Sequence, residues 1–136
     1  MMHDITYHNP ETEDLIDTAL GKRFSLWKKI KMKGIGSRRM VLKRTSPNFY
    51  KYINKVADIN YVSIELRPKG ILIHLTKGLK NFAWAIPYYQ LAFFKSEEFS
   101  IHAQGNFLAV ECNNNYKANK GFLEKLNALK ENYIYN

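Results

Sequence analysis

Cysteine is nearly missing from this chain: Cys112 is the only one in 136 residues. An internal disulfide is therefore excluded, and a reducing, cytoplasmic setting suits the sequence. The four histidines and the cysteine show neither a His-X-X-X-His nor a Cys-X-X-Cys spacing, so no metal-ligand motif is present. Gly-X-Ser-X-Gly and phosphate-loop patterns are also lacking. No window approaches the roughly 20 apolar residues that cross a bilayer. The start, Met1-Met2-His3-Asp4, has no basic stretch leading into an apolar run, so no signal peptide is expected. Carboxylates are few in the strand-rich half, and Glu65, Glu97, Glu98 and Glu111 read as turn and exposed-face residues. With Cys112 on a core-facing position, no side chain is left on which an enzyme reading can rest, and no cofactor is implied.

What is present is an uneven charge. Residues 1–21 hold five acids and no Lys or Arg, whereas residues 22–57 hold twelve bases and no acid. The remaining residues nearly balance, so the net charge of +9 comes from one segment. Such asymmetry points to a polyanion, a membrane surface or an acidic partner. Residues 10–30 read as one helix, acidic at its start and basic at its end, with Leu15, Ala19, Leu20, Phe24, Trp27 and Ile30 as its apolar side. Gly34-Ile35-Gly36-Ser37 ends that element. Arg38–Arg44 reads as an edge strand, because basic side chains protect an edge from aggregation. Ser46-Pro47 opens a helix expected to run to Ala57, with Phe49, Ile53 and Val56 on one face.

From Tyr61 to Cys112 the pattern is that of strands, since alternate side chains point to opposite faces. Val62, Ile64 and Leu66 precede Pro68-Lys69-Gly70, and Ile71, Ile73 and Leu75 follow it. A turn over 67–70 pairs Leu66 with Ile71, Ile64 with Ile73 and Val62 with Leu75. A second turn at 77–80 sets Leu75 opposite Phe82, Ile73 opposite Trp84 and Ile71 opposite Ile86, with Ala83 and Ala85 on the other face. Tyr88–Lys95 is strand-like. A two-residue Gly105-Asn106 loop is expected to pair Ala103 with Leu108, Ile101 with Val110 and Phe99 with Cys112. The chain closes on a helix carrying Phe122, Leu126, Leu129 and Tyr133 in one stripe.

Gly70-Ile71 opening a strand, Trp84-Ala85-Ile86-Pro87-Tyr88, and a closing helix with Phe122 and Leu126 together resemble the small bacterial pleckstrin-homology-like (PH-like) domains. The resemblance covers about residues 60–133 and implies a partly open barrel plugged at one end by a C-terminal helix. The transmembrane helices often found beside such domains have no counterpart in this sequence. The expected fold class is α+β: a PH-like, partly open antiparallel β-barrel of six or seven short strands with a C-terminal helix. Residues 1–36 form the acidic-then-basic helical arm, and residues 37–136 the PH-like domain with its inserted helix at 47–57.

The expected function is a non-enzymatic intracellular binding module whose basic face, residues 22–44, meets an anionic membrane surface. Lys22, Arg23, Lys28, Lys29, Lys31, Lys33, Arg38 and Arg39 supply the charge, and Phe24 and Trp27 are the candidates for membrane insertion. The location would be cytoplasmic and peripheral at the inner membrane face. The same bases, with Tyr50, Tyr52, Tyr88 and Tyr89 as stacking groups, also suit non-specific RNA or single-stranded DNA. A protein partner or homodimer through the arm or a sheet edge is the third reading. No small-molecule substrate is expected. One metal arrangement stays open: His74 and His102 meeting beside Glu111.

Overall fold

The computed structural model describes residues 1–54 and 59–135. In chain order the elements are β1 (Met2–Asp4), α1 (Pro10–Leu20), α2 (Leu26–Lys31), β2 (Met40–Thr45), a 3-10 turn (Pro47–Tyr52), β3 (Asn60–Arg67), β4 (Gly70–Lys77), β5 (Lys80–Pro87), a second 3-10 turn (Tyr88–Gln90), β6 (Ala92–Lys95), β7 (Glu98–Ala103), β8 (Asn106–Glu111), α3 (Asn114–Lys117) and α4 (Lys120–Tyr135). The fold is α+β. Its eight described strands form one antiparallel sheet in the order β1-β5-β4-β3-β2-β8-β7-β6, where six or seven were expected. The sheet is open, with β1 and β6 at its two edges.

The alternating segments fold as their pattern dictates. β3 and β4 pair Val62 with Leu75, Ile64 with Ile73 and Leu66 with Ile71. β4 and β5 pair Ile71 with Ile86, Ile73 with Trp84 and Leu75 with Phe82. All of these side chains are buried in one cluster that also takes in Phe99, Ile101, Leu108 and Val110 from the far end of the sheet. One core lined by both ends requires the sheet to curl around it. The Trp84 indole Nε1 of β5 accordingly donates to Gln104 Oε1 in the β7–β8 turn at 3.0 Å. Phe49 of the first 3-10 turn packs edge-on against Trp84 at 4.8 Å. From the closing helix α4, Leu126 is fully buried and Tyr133 meets Tyr88 at 5.7 Å.

Several expectations are corrected by long-range packing. The last hairpin turns at Gln104-Gly105, whose φ values of 55° and 77° are both positive, as a primed two-residue turn requires. Its register is therefore Ala103 with Asn106, Ile101 with Leu108 and Phe99 with Val110, two residues from the expected pairing. A shift of two preserves which side chains face inward, so the core set survives. Cys112 falls beyond β8, half-buried against the core. β2 is not an edge strand: it pairs with β3 on one side and β8 on the other. Met40 and Leu42 fill the core, while Arg39 lies over Tyr61 at 4.4 Å and Arg44 over Phe107 at 5.1 Å. Central placement is tolerated because the bases lie on the sheet's outer side and stack there. After Ser46-Pro47 there is a 3-10 turn rather than an α-helix, and the Ser46 hydroxyl bonds Asn106 Oδ1 instead of capping. Ile53 is already extended, and residues 55–57 of that expected helix, with Val56 and Ala57, lie outside the described residues.

The N-terminal third is likewise more integrated than its charge pattern implies. Met2–Asp4 pairs with β5, setting Met2 opposite Trp84. Residues 10–30 are not one helix. Asn9 caps α1 by accepting from the Glu11 amide at 3.0 Å, and Gly21, at φ 81°, ends it. A fresh cap at Ser25, accepting from the Lys28 amide at 3.2 Å, starts α2. α1 lies on the outer face of β4 and β5, where Ile16 and Leu20 meet Leu72, Ala83 and Ala85. The small alanines on the other face are thus the seat of a second core.

Candidate anionic-surface interface

α2 is short, and the chain holds it from both sides. Before it, Phe24 is half-buried against the main core; after it, Met32 and Ile35 pack there too. Lys125 of α4 donates to the carbonyls of Met32 at 2.7 Å and Gly34 at 2.8 Å, occupying acceptors at the helix end. Next, the Leu66 amide donates to Ile35 O at 2.7 Å and the Ser37 amide to Ile64 O at 2.8 Å, which fastens the following segment to β3. A fixed platform results. On it Leu26, Trp27 and Ile30 stand 74%, 68% and 63% exposed. Leu26 and Ile30 share a helix face through their i, i+4 spacing, with Trp27 beside them. Lys28, Lys31 and Lys33 are exposed and Lys29 half-buried around this apolar face, with Lys31 Nζ 5.9 Å from the Trp27 ring centroid. An apolar patch rimmed by charge, on a helix with no acid in it, is the arrangement expected of an interaction surface.

The eight expected bases do not gather at one point. Lys28, Lys29, Lys31 and Lys33 belong to α2 and its C-terminal end. Lys22 and Arg23 sit in the link between the helices and line a groove beside α1. Arg38 precedes β2, where its amide and carbonyl both bond the buried Asn119 side chain, at 2.8 and 3.2 Å. Arg39 lies on the outer sheet face over Tyr61. The two insertion candidates part company: Trp27 is presented to solvent and Phe24 is packed. The tyrosines divide as well, with Tyr88 buried, Tyr52 packed edge-on against Phe82 at 4.9 Å, and Tyr50 and Tyr89 exposed. His74 on β4 and His102 on β7 are separated by three intervening strands, so they do not meet. Among the described residues no group of three or more His, Cys, Asp or Glu side chains is placed to hold a metal ion.

One constellation went unnoticed in the sequence. The Arg67 side chain, 3% exposed, donates from Nε to Glu65 and from Nη1 to Asp17 at 3.1 Å and to the Gly21 carbonyl at 3.0 Å. Glu65 also meets His74 Nε2 at 3.3 Å, and Arg23 approaches it at 4.0 Å. Burial alone would push the Glu65 carboxyl up, but the hydrogen bonds from His74 and Arg67 and their charges outweigh it and hold Glu65 at about 2. The available signal was Glu65-X-Arg67, two opposite charges on one strand face. It gains meaning only when α1 brings Asp17 over that face. Compared with protein-family models, curated proteins and solved structures, the chain matches none.

Proposed function

We propose that this chain is a non-enzymatic binding module that attaches reversibly to an anionic membrane surface through α2. The observation that carries the reading is the exposed Leu26–Trp27–Ile30 face on a helix rimmed by four lysines. Trp and aliphatic side chains settle at the headgroup boundary, and each nearby lysine contributes about 1 kcal/mol against an anionic leaflet. The four lysines and a shallow apolar wedge together supply several kcal/mol, enough for reversible peripheral attachment. No described helix is long and apolar enough to cross a membrane, so attachment of this kind rests on the surface. The curled antiparallel sheet with α4 packed against its core supports a PH-like reading of the fold, in which α2 is an added membrane-facing element at the cytoplasmic face.

Tryptophan emission during titration with vesicles of phosphatidylglycerol or of phosphatidylcholine tests this. Trp84 is 1% exposed and stays silent, so the signal belongs to Trp27. A blue shift is expected with the anionic vesicles only, at about physiological salt, where the Debye length is about 8 Å. Trp27→Ser should abolish binding in a vesicle sedimentation assay while leaving the circular dichroism unchanged. An emission spectrum indifferent to anionic vesicles would sink the reading.

A second reading, non-specific RNA or single-stranded DNA binding, is favoured by a different observation. Arg39 over Tyr61 and Arg44 over Phe107 place cation–aromatic pairs along the outer sheet face, where unpaired bases stack. Its mark would be an affinity that falls steeply with salt and is lowered by Arg39→Ala rather than by Trp27→Ser.

A further inference from the structure

The groove between α1, the segment after β1 and the outer faces of β3 and β4 encloses about 370 Å³. That falls within the roughly 300–1,000 Å³ range of small-molecule sites. Ile5 and the exposed Tyr7 form the accessible apolar part of its lining beside the buried Ile16 and Leu72, and Lys22, Arg23, Arg67 and His74 line it together with Glu13 and Asp17. The charges at the groove are unevenly paired. The Glu65 carboxylate is shared by Arg67, His74 and the more distant Arg23, while Asp17 is bonded to Arg67. A further carboxylate of the wall, Glu13, is turned to His8 at 3.1 Å. Lys22 makes no ion pair among the described residues, and Arg23, 65% exposed, has only its 4.0 Å approach to a carboxylate already engaged twice. Three acids are therefore set against three permanent cations, and the two cations without a close carboxylate are Lys22 and Arg23, both at the groove. Arg67 keeps its two carboxylates, so Lys22 and Arg23 are the cations left to meet an added anion.

We propose that this groove is a binding site for a small organic anion, an apolar body carrying one phosphate or carboxylate. The anionic end sits between Lys22, Arg23 and His74, and the body covers Ile5 and Tyr7. Arg23 exchanges its long contact with Glu65 for a direct, charge-assisted bond to the ligand, and Arg67 keeps Glu65 neutralised in its place. This site is separate from the exposed face of α2 and does not depend on the membrane reading.

The test uses the full chain with phenyl phosphate as probe and inorganic phosphate as comparator, followed by nuclear magnetic resonance and by thermal midpoint. Phenyl phosphate at millimolar concentration is expected to move the resonances of Ile5, Lys22, Arg23 and His74 and to raise the midpoint. Inorganic phosphate should bind more weakly, because it covers no apolar surface. Arg23→Gln and the double variant Lys22→Ser/Arg23→Ser alter exposed side chains and should fold as the parent does, with affinity lowered about tenfold or more for the double variant. The proposal is overturned if the probe leaves these resonances still, if the shifts fall on the α2 lysines instead, if the double variant binds as well as the parent, or if inorganic phosphate binds equally well.

Discussion

Acidification tests the buried ion network directly. In the folded chain Glu65 titrates at about 2 rather than the usual 4.5, because hydrogen bonds and charge from His74 and Arg67 overcome the opposing effect of its burial. A carboxyl depressed on folding contributes stability that is fully present above its unfolded value and is lost as pH falls toward the folded one. The window here lies between about pH 5 and about pH 2. A displacement from 4.5 to about 2 corresponds to about 3 kcal/mol at neutral pH. The Glu65 side chain is only 17% exposed, so little of that is removed by solvent screening. The assay is urea unfolding followed by circular dichroism across the window, for the parent and for Glu65→Gln. At neutral pH the variant should be less stable by about 3 kcal/mol, since it also leaves Arg67 with Asp17 as its one remaining carboxylate partner. The difference should shrink steadily as pH falls, because the parent loses the same charge by protonation. Stability curves that run parallel through the window would refute the assignment of this charge to the network.

Two further substitutions probe how the elements are held together. A Cβ at Gly70 would lie 2.3 Å from Ile86 O, 2.7 Å from Leu20 Cδ2 and 2.8 Å from Pro87 Cα. Two of those atoms are β5 backbone, which yields only by opening the β4–β5 ladder. Gly70→Ala should therefore destabilise by about 3 kcal/mol or more and lower the thermal midpoint on the order of 10 °C, and an unchanged midpoint in calorimetry would contradict the packing described. Asn119, 2% exposed, bonds the Arg38 amide, the Arg38 carbonyl and the Asn115 carbonyl. Asn119→Ala leaves partly buried backbone groups without these partners and should destabilise by about 1 kcal/mol, with faster hydrogen exchange at the Arg38 amide as the local readout.

The register of β3, β4 and β5 was legible because a period of two, with turns at 67–70 and 77–80, admits one pairing that keeps Val62, Ile64, Leu66 and their partners on the same side. The inward set of β7 and β8 was legible for the same reason, but the position of their turn was not. Gln104 occupies φ 55° while its side chain holds the Trp84 indole and the Ala85 carbonyl, contacts that no local pattern encodes. The place of β2 was misread because four nearby bases suit an edge, whereas strand neighbours are chosen by non-local pairing. The break between α1 and α2 was hidden in a continuous amphipathic pattern. Gly21 is fixed there by its carbonyl's bond from Arg67 and by its closeness to Pro68, both distant in sequence.

Charge and composition by themselves determined that this chain carries a strongly basic segment without acids, and that no metal or nucleophile motif accompanies it. Which way those bases face was decided only by tertiary structure. The same run of residues divides among an exposed helix, a groove and the outer side of a central strand, because α1 packs on one core while Phe24, Met32 and Ile35, on either side of α2, pack on the other. Glu65, Arg67 and His74 share the outer face of the β3–β4 hairpin, and only the docking of α1 on the sheet brings Asp17 and Arg23 to them. Periodicity speaks for contacts along a strand or helix, while a site assembled across elements exists only once they pack.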